Sequence, residues 1–110
     1  MPTVADCVAL VAAEYKLTRA EILGQQRARK YARPRQIAMW IASKATTASL
    51  PEIGLRIGKR HHTTIMWGIK VVDKLRAEDA SFTAKVDDML GRFAGERDGR
   101  DRSTTNSTDD

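Results

Sequence analysis

The chain has 110 residues, of which 42% are hydrophobic and 30% charged, and its net charge is +5. This length allows one modest hydrophobic core and is too short for two. The single cysteine excludes an internal disulfide, and no apolar run is long enough to cross a bilayer. No basic segment followed by an apolar stretch opens the chain, so we expect no export signal and a cytoplasmic location.

Positive charge is concentrated in the middle of the chain. Residues 22–72 contain ten lysines and arginines and one acidic residue, Glu52. A field of one sign over half a domain is self-repulsive, and a polyphosphate is the partner that most commonly relieves this repulsion. The alternative is a solubilising surface without a partner.

The start of the chain predicts two helices. Apolar residues recur at helical spacing from about residue 4 to 15, so this segment should form an amphipathic helix. Cys7 lies on its apolar stripe, which indicates a buried, inert thiol. Thr18 and Glu21 form a capping-box pattern, which predicts a short second helix that Gly24 ends.

A basic segment and a third helix follow. Residues 25–33 are polar and basic and lack helical periodicity, so we expect a loop. Pro34 suits the first turn of a helix, which apolar residues then extend to about Thr46. An arginine-rich loop can enter the narrow minor groove of DNA or can contact phosphates without preference, and the residues alone favour neither.

Two helices joined by a tight turn come next. Ser49 and Glu52 repeat the capping-box pattern before a short helix that ends near Gly58. The second helix should run from about residue 62 to 76, with apolar residues on one face and Trp67 on the other. Two short helices joined in this way match the helix-turn-helix unit.

The last helix is predicted at about residues 80–93. From Gly95 onward the chain has no apolar side chain to bury, which predicts a disordered polar tail. We therefore divide the chain into a helix-turn-helix domain, residues 1–94, and a tail, residues 95–110. The predicted fold class is all-α, a small bundle of about six helices.

The start of the second helix of the helix-turn-helix carries side chains that can read DNA. Imidazole and hydroxyl groups of His61, His62 and Thr63 can donate to or accept from base edges. The alternative is that a threonine merely caps this helix and the histidines are solvated turn residues. A histidine pair without accompanying cysteines or carboxylates is a poor metal site, and no catalytic group or cofactor is expected.

Two separated motifs resemble the C-terminal DNA-binding domain (domain IV) of the DnaA chromosomal replication initiator. Residues 32–39 (ARPRQIAM) resemble the start of its third helix. Residues 49–54 (SLPEIG), followed by residues 58–65 (GKRHHTTI), resemble its helix-turn-helix. The similarity covers about residues 4–90, and it implies a Trp-repressor-like helix-turn-helix fold.

The resemblance implies two sets of DNA contacts. The expected base contacts are Arg27 in the minor groove and, in the major groove, Pro51, His62 and Thr63, to which we add His61. The expected phosphate contacts are Arg35, Gln36, Ser49, Leu50 and Thr64, to which we add Lys59 and Arg60 from the basic turn. The implied target is a short, asymmetric, AT-rich box bound by a single domain.

Three residues depart from the family pattern. His61 replaces an aspartate, so the site loses an acceptor for cytosine N4 and favours a purine acceptor instead. Lys59 replaces a turn residue that is typically glycine, which adds charge and removes backbone freedom. Ser43 stands where a phosphate-contacting lysine is common.

The resemblance implies a bacterial, nucleoid-associated regulator of transcription or replication initiation that binds double-stranded DNA at DnaA-box-like sites. Further partners would be the full-length initiator or other regulators, and no membrane is expected. The chain has no G-x-x-x-x-G-K-[ST] pattern, so we expect no ATP hydrolysis and either a fragment or a stand-alone relative. The alternative functions are a protein-interaction adaptor, or a non-specific DNA-binding protein, that modulates the full-length initiator.

Overall fold

The computed structural model describes the backbone of residues 1–101 and the side chains of residues 1–93. This part of the chain folds into six helices without a strand, which confirms the predicted all-α class. The helices are α1 (Val4–Tyr15), α2 (Arg19–Leu23), α3 (Arg29–Ala45), α4 (Leu50–Arg56), α5 (His62–Glu78) and α6 (Ala80–Asp101).

Side-chain caps determine where the short helices begin. The Glu21 amide donates to Thr18 Oγ1 (3.0 Å) and the Thr18 amide donates to the Glu21 carboxylate (2.8 Å), as the capping-box pattern predicts. At α4 the Glu52 amide donates to Ser49 Oγ (3.3 Å), so Ser49 is the predicted N-cap. The Glu52 carboxylate instead pairs with Arg56 (3.5 Å), so the second capping box forms only in part.

The third helix begins earlier than the sequence pattern predicts. α3 starts at Arg29, so the predicted loop of residues 25–33 is wrong for its second half. Pro34 lies inside the helix rather than in its first turn, and it has no amide to donate to the Lys30 carbonyl. The first turn of α3 is polar and basic, and a turn of this composition lacks the apolar stripe by which a helix is recognised.

α3 occupies the centre of the bundle and packs against α1 and α5. Its residues Ile37, Trp40 and Ile41 are at most 2% exposed, and burial of each such side chain contributes roughly 1.5–3 kcal/mol. Nε1 of Trp40 donates to Asp73 of α5 (2.9 Å), and the Arg76 guanidinium lies 4.9 Å from a Trp40 ring centroid. These contacts fix the orientation of α5 on the core.

The free cysteine belongs to this core. Cys7 is fully buried in α1, and desolvation raises the pKa of its thiol to about 11. The thiol therefore stays protonated at neutral pH, in agreement with the predicted inert role.

α6 closes the bundle through Val86 and Met89, which are fully buried. It extends to Asp101, past the predicted end at residue 93, and no proline follows to stop it. Residues 102–110 of the predicted tail lie outside the described residues. Among the described helices, none is long and apolar enough to span a membrane.

Candidate nucleic-acid interface

α4 and α5 form the predicted helix-turn-helix, and backbone hydrogen bonding closes the turn between them. The Arg60 amide donates to the Gly54 carbonyl (2.7 Å). Gly58 (φ +76°) and Lys59 (φ +56°) both adopt the left-handed conformation. Lys59 therefore holds a backbone geometry that glycine adopts more readily, at the position where the family pattern has glycine.

The N-terminal turn of α5 is capped by His61. The Thr63 amide donates to His61 Nδ1 (3.2 Å), and Thr63 Oγ1 lies 2.8 Å from the same nitrogen. The ring centroids of His61 and His62 are 4.3 Å apart. Because His61 provides the cap, the alternative is wrong in its threonine cap, although both histidines are exposed as it expected.

Most of the predicted contact residues lie on the surface. The predicted base contacts are all exposed, namely Arg27, Pro51, His61, His62 and Thr63. Of the predicted phosphate contacts, the exposed ones are Ser49, Lys59 and Thr64, and the half-buried ones are Gln36, Leu50 and Arg60. Pro51 shares a shallow depression of about 450 Å³ with His61 and His62, so the starts of α4 and α5 open toward the same side.

Arg35 is buried, and its predicted phosphate contact is corrected. The side chain is 7% exposed; Nε donates to the Ile22 carbonyl (2.6 Å) and Nη1 to the Gln26 carbonyl (3.0 Å). Burial and the neighbouring Arg60 charge lower the pKa of the guanidinium. Arg35 therefore holds the loop that carries Arg27 rather than pointing toward solvent.

Arg60 is half-buried, and its guanidinium also bonds backbone carbonyls, which argues against its predicted phosphate contact. Nη1 donates to the carbonyls of Leu23 (3.1 Å) and Ile57 (3.0 Å), and Nη2 donates to the Gly24 carbonyl. Burial lowers the pKa of this guanidinium too. Arg60 thus connects the turn of the helix-turn-helix to the loop between α2 and α3. This connection fixes the position of the Arg27 loop relative to the start of α5.

The basic side chains around the Arg27 loop and the start of α5 are exposed to solvent. Exposed cations on the loop, the first turn of α3, the turn of the helix-turn-helix and α5 are Arg27, Arg29, Lys30, Lys59, Lys70 and Lys74. Among the described residues, no carboxylate forms an ion pair with any of them. The same part of the chain contains no group of three side chains that could hold a metal ion. The surface is therefore suited to an anionic partner.

Comparison with known proteins places this arrangement in a family. The family model for the bacterial DnaA protein helix-turn-helix matches residues 4–72. The chain is 39% identical over 93 residues to the chromosomal replication initiator protein DnaA of Caulobacter vibrioides, covering 84% of this chain and 19% of that protein.

Two other initiators give similar values. The chain is 42% identical over 90 residues to DnaA of Ruegeria pomeroyi, which covers 82% of this chain and 19% of that protein. It is 45% identical over 80 residues to DnaA of Neisseria meningitidis, covering 73% of this chain and 15% of that protein. The chain thus spans less than a fifth of the length of these relatives, and it belongs to the bacterial DnaA helix-turn-helix family.

Proposed function

We propose that this protein binds double-stranded DNA sequence-specifically at DnaA-box-like sites and regulates transcription or replication initiation. The helix-turn-helix module of the family is a DNA-binding unit and not a catalytic one. The observation that carries the proposal is the exposed N-terminal turn of α5, residues 61–64, which lies beside Pro51. A DNA partner would place the protein on the nucleoid, where it would compete with the full-length initiator for boxes.

In the proposed complex, α5 enters the major groove by its N-terminal turn. His61 Nδ1 already accepts the Thr63 amide, so the proton of a neutral ring is on Nε2, which becomes a donor. A donor suits guanine O6 or N7, adenine N7 or thymine O4, and does not suit the cytosine amino group. His61 therefore shifts base preference away from that of family members with aspartate.

Arg27 is proposed to read the adjacent minor groove. It is exposed on a five-residue loop, residues 24–28, whose carbonyls are held by Arg35 and Arg60. A fixed loop loses less conformational entropy on binding than a free arm, and a narrow AT-rich minor groove attracts arginine.

The remaining contacts go to phosphates. The residues proposed for this role are Gln36, Ser49, Leu50, Lys59 and Thr64. Arg35 is left out of this set because its side chain is buried, and Arg60 because its guanidinium bonds three backbone carbonyls.

A binding comparison tests this function. Fluorescence anisotropy with a labelled initiator-box duplex should give an affinity on the order of a thousandfold higher than with a scrambled duplex of the same composition, the lower end of the usual specificity range. Equal affinity for the two duplexes would reduce the function to non-specific DNA binding.

A protein-interaction adaptor is the second candidate. Leu55 (62% exposed) and Trp67 (66% exposed) are large apolar side chains on the surface, which such a role requires. Sedimentation of the chain with purified full-length initiator, in the absence of DNA, tests the candidate. A complex that Leu55→Ser abolishes would support it, and no complex would rule it out.

A further inference from the structure

The indole of Trp67 is unusually exposed. The side chain is 66% exposed, whereas the other tryptophan, Trp40, is 2% exposed. A tryptophan normally buries most of its surface, so an exposed one on a helix face is typical of a contact surface.

Trp67 shares its helix face with the base-reading end of α5. At about 100° per residue, Thr63, Trp67, Lys70 and Lys74 lie within roughly 60° of one another, and all four are exposed. The carboxylate of Asp73 is held by the Trp40 indole on the side of α3 (2.9 Å). Within the described residues, neither Lys70 nor Lys74 forms an ion pair. The face is therefore apolar at Trp67 and cationic beyond it.

Distances along α5 match the dimensions of the major groove. At about 1.5 Å per residue, Trp67 lies about 6 Å from Thr63, Lys70 about 10 Å and Lys74 about 16 Å. The major groove is about 8.5 Å deep. If α5 enters by its N-terminal turn and Thr63 touches base edges, Trp67 lies within the depth of the groove beside its sugar-phosphate wall. Lys70 then lies at the rim, where its long side chain reaches the phosphates, and Lys74 lies well beyond it.

We propose that Trp67 and Lys70 extend the DNA contact of α5 from the bases to the sugar-phosphate wall of the major groove. The inference rests on the proposed function. The indole ring packs on deoxyribose, its Nε1–H donates to a phosphate oxygen, and Lys70 neutralises the next phosphate.

Quenching of tryptophan fluorescence by acrylamide tests this contact in the unmodified protein. Acrylamide is neutral, so the DNA charge does not repel it, and Trp40 is too buried to contribute much. We expect the quenching constant to fall severalfold when box duplex binds, with binding followed independently by anisotropy of the labelled duplex. An unchanged constant in the presence of a formed complex would overturn the inference and leave the proposed function standing.

Other outcomes separate the remaining explanations. If anisotropy shows no complex, the proposed function fails, and this inference fails with it. If quenching falls with protein concentration in the absence of DNA, a second copy of the chain covers Trp67, and the DNA contact is overturned.

Substitutions provide the matched comparison. Trp67→Ala should weaken box binding by about tenfold, and Trp67→Phe, which keeps an aromatic ring, by only about twofold to threefold. Lys74→Ala, on the same face but beyond the groove, should change the affinity by less than about twofold. Equal effects of Trp67→Ala and Lys74→Ala would contradict the proposed geometry.

Discussion

Thr63 is exposed on the first turn of α5, and its methyl and hydroxyl groups can both face a base edge. We predict that Thr63→Ala costs about 1–3 kcal/mol of binding free energy on the preferred box and less on scrambled DNA. Thr63→Ser is the matched variant, since it keeps the hydroxyl and removes only the methyl. Titrations by anisotropy measure both, and a silent Thr63→Ala would show that the start of α5 does not lie against bases.

His61 has a structural and a recognition role that two substitutions separate. His61→Ala removes the cap of α5 and should lower the free energy of unfolding by about 1 kcal/mol in urea denaturation. His61→Asp should keep this stability, because aspartate is a preferred N-cap. It should also shift base preference toward cytosine, because a carboxylate accepts from the cytosine amino group. Selection from boxes randomised at each position measures this preference. A His61→Asp variant with unchanged preference would remove His61 from the base contacts.

At the scale of elements, the helix-turn-helix depends on the space that Gly58 leaves open. A Cβ at Gly58 would collide with Arg60 Nη1 and the Leu23 carbonyl, at a φ of +76°. Gly58→Ala should therefore lower the free energy of unfolding by more than about 1 kcal/mol. Gly91→Ala is the control: apart from the backbone of α6 itself, nothing lies within 4 Å of the added Cβ, and the substitution should stabilise by about 0.5–1 kcal/mol. Urea denaturation measures both, and a Gly58→Ala variant as stable as the original chain would contradict the described turn.

The sequence predicts those elements whose causes are local. Thr18 and Ser49 cap helices within three residues of themselves, so their pattern is visible along the chain. The polar first turn of α3 has no apolar stripe, and Pro34 therefore suggests the wrong start. Most of the carbonyls that Arg35 and Arg60 bond lie 9 to 37 residues away, and a backbone acceptor leaves no mark in the sequence. The family resemblance predicts contact residues that are mostly exposed, and only the fold shows that the guanidinium groups of these two arginines bond backbone carbonyls.

For the whole molecule, the cationic surface predicts a strong dependence of binding on salt. Five exposed basic residues flank the proposed site, namely Arg27, Arg29, Lys30, Lys59 and Lys70. Each neutralised phosphate contributes about −0.9 to the slope of log K against log salt, so the slope should be about −4 to −5. Anisotropy titrations between about 50 and 200 mM salt measure it. Lys59→Ala, which removes a proposed phosphate contact, should flatten the slope by about one, and Lys85→Ala on α6 should leave it unchanged. A slope near zero would mean that phosphates do not carry the affinity.

The central claim is that the start of α5 lies in the major groove while the Arg27 loop lies in the adjacent minor groove. Methylation interference with dimethyl sulfate tests both at once, because guanine N7 lies in the major groove and adenine N3 in the minor groove. We predict that guanine N7 methylation blocks binding in one part of the box and adenine N3 methylation blocks it in the neighbouring part. Binding that tolerates both modifications throughout the box would contradict the claim.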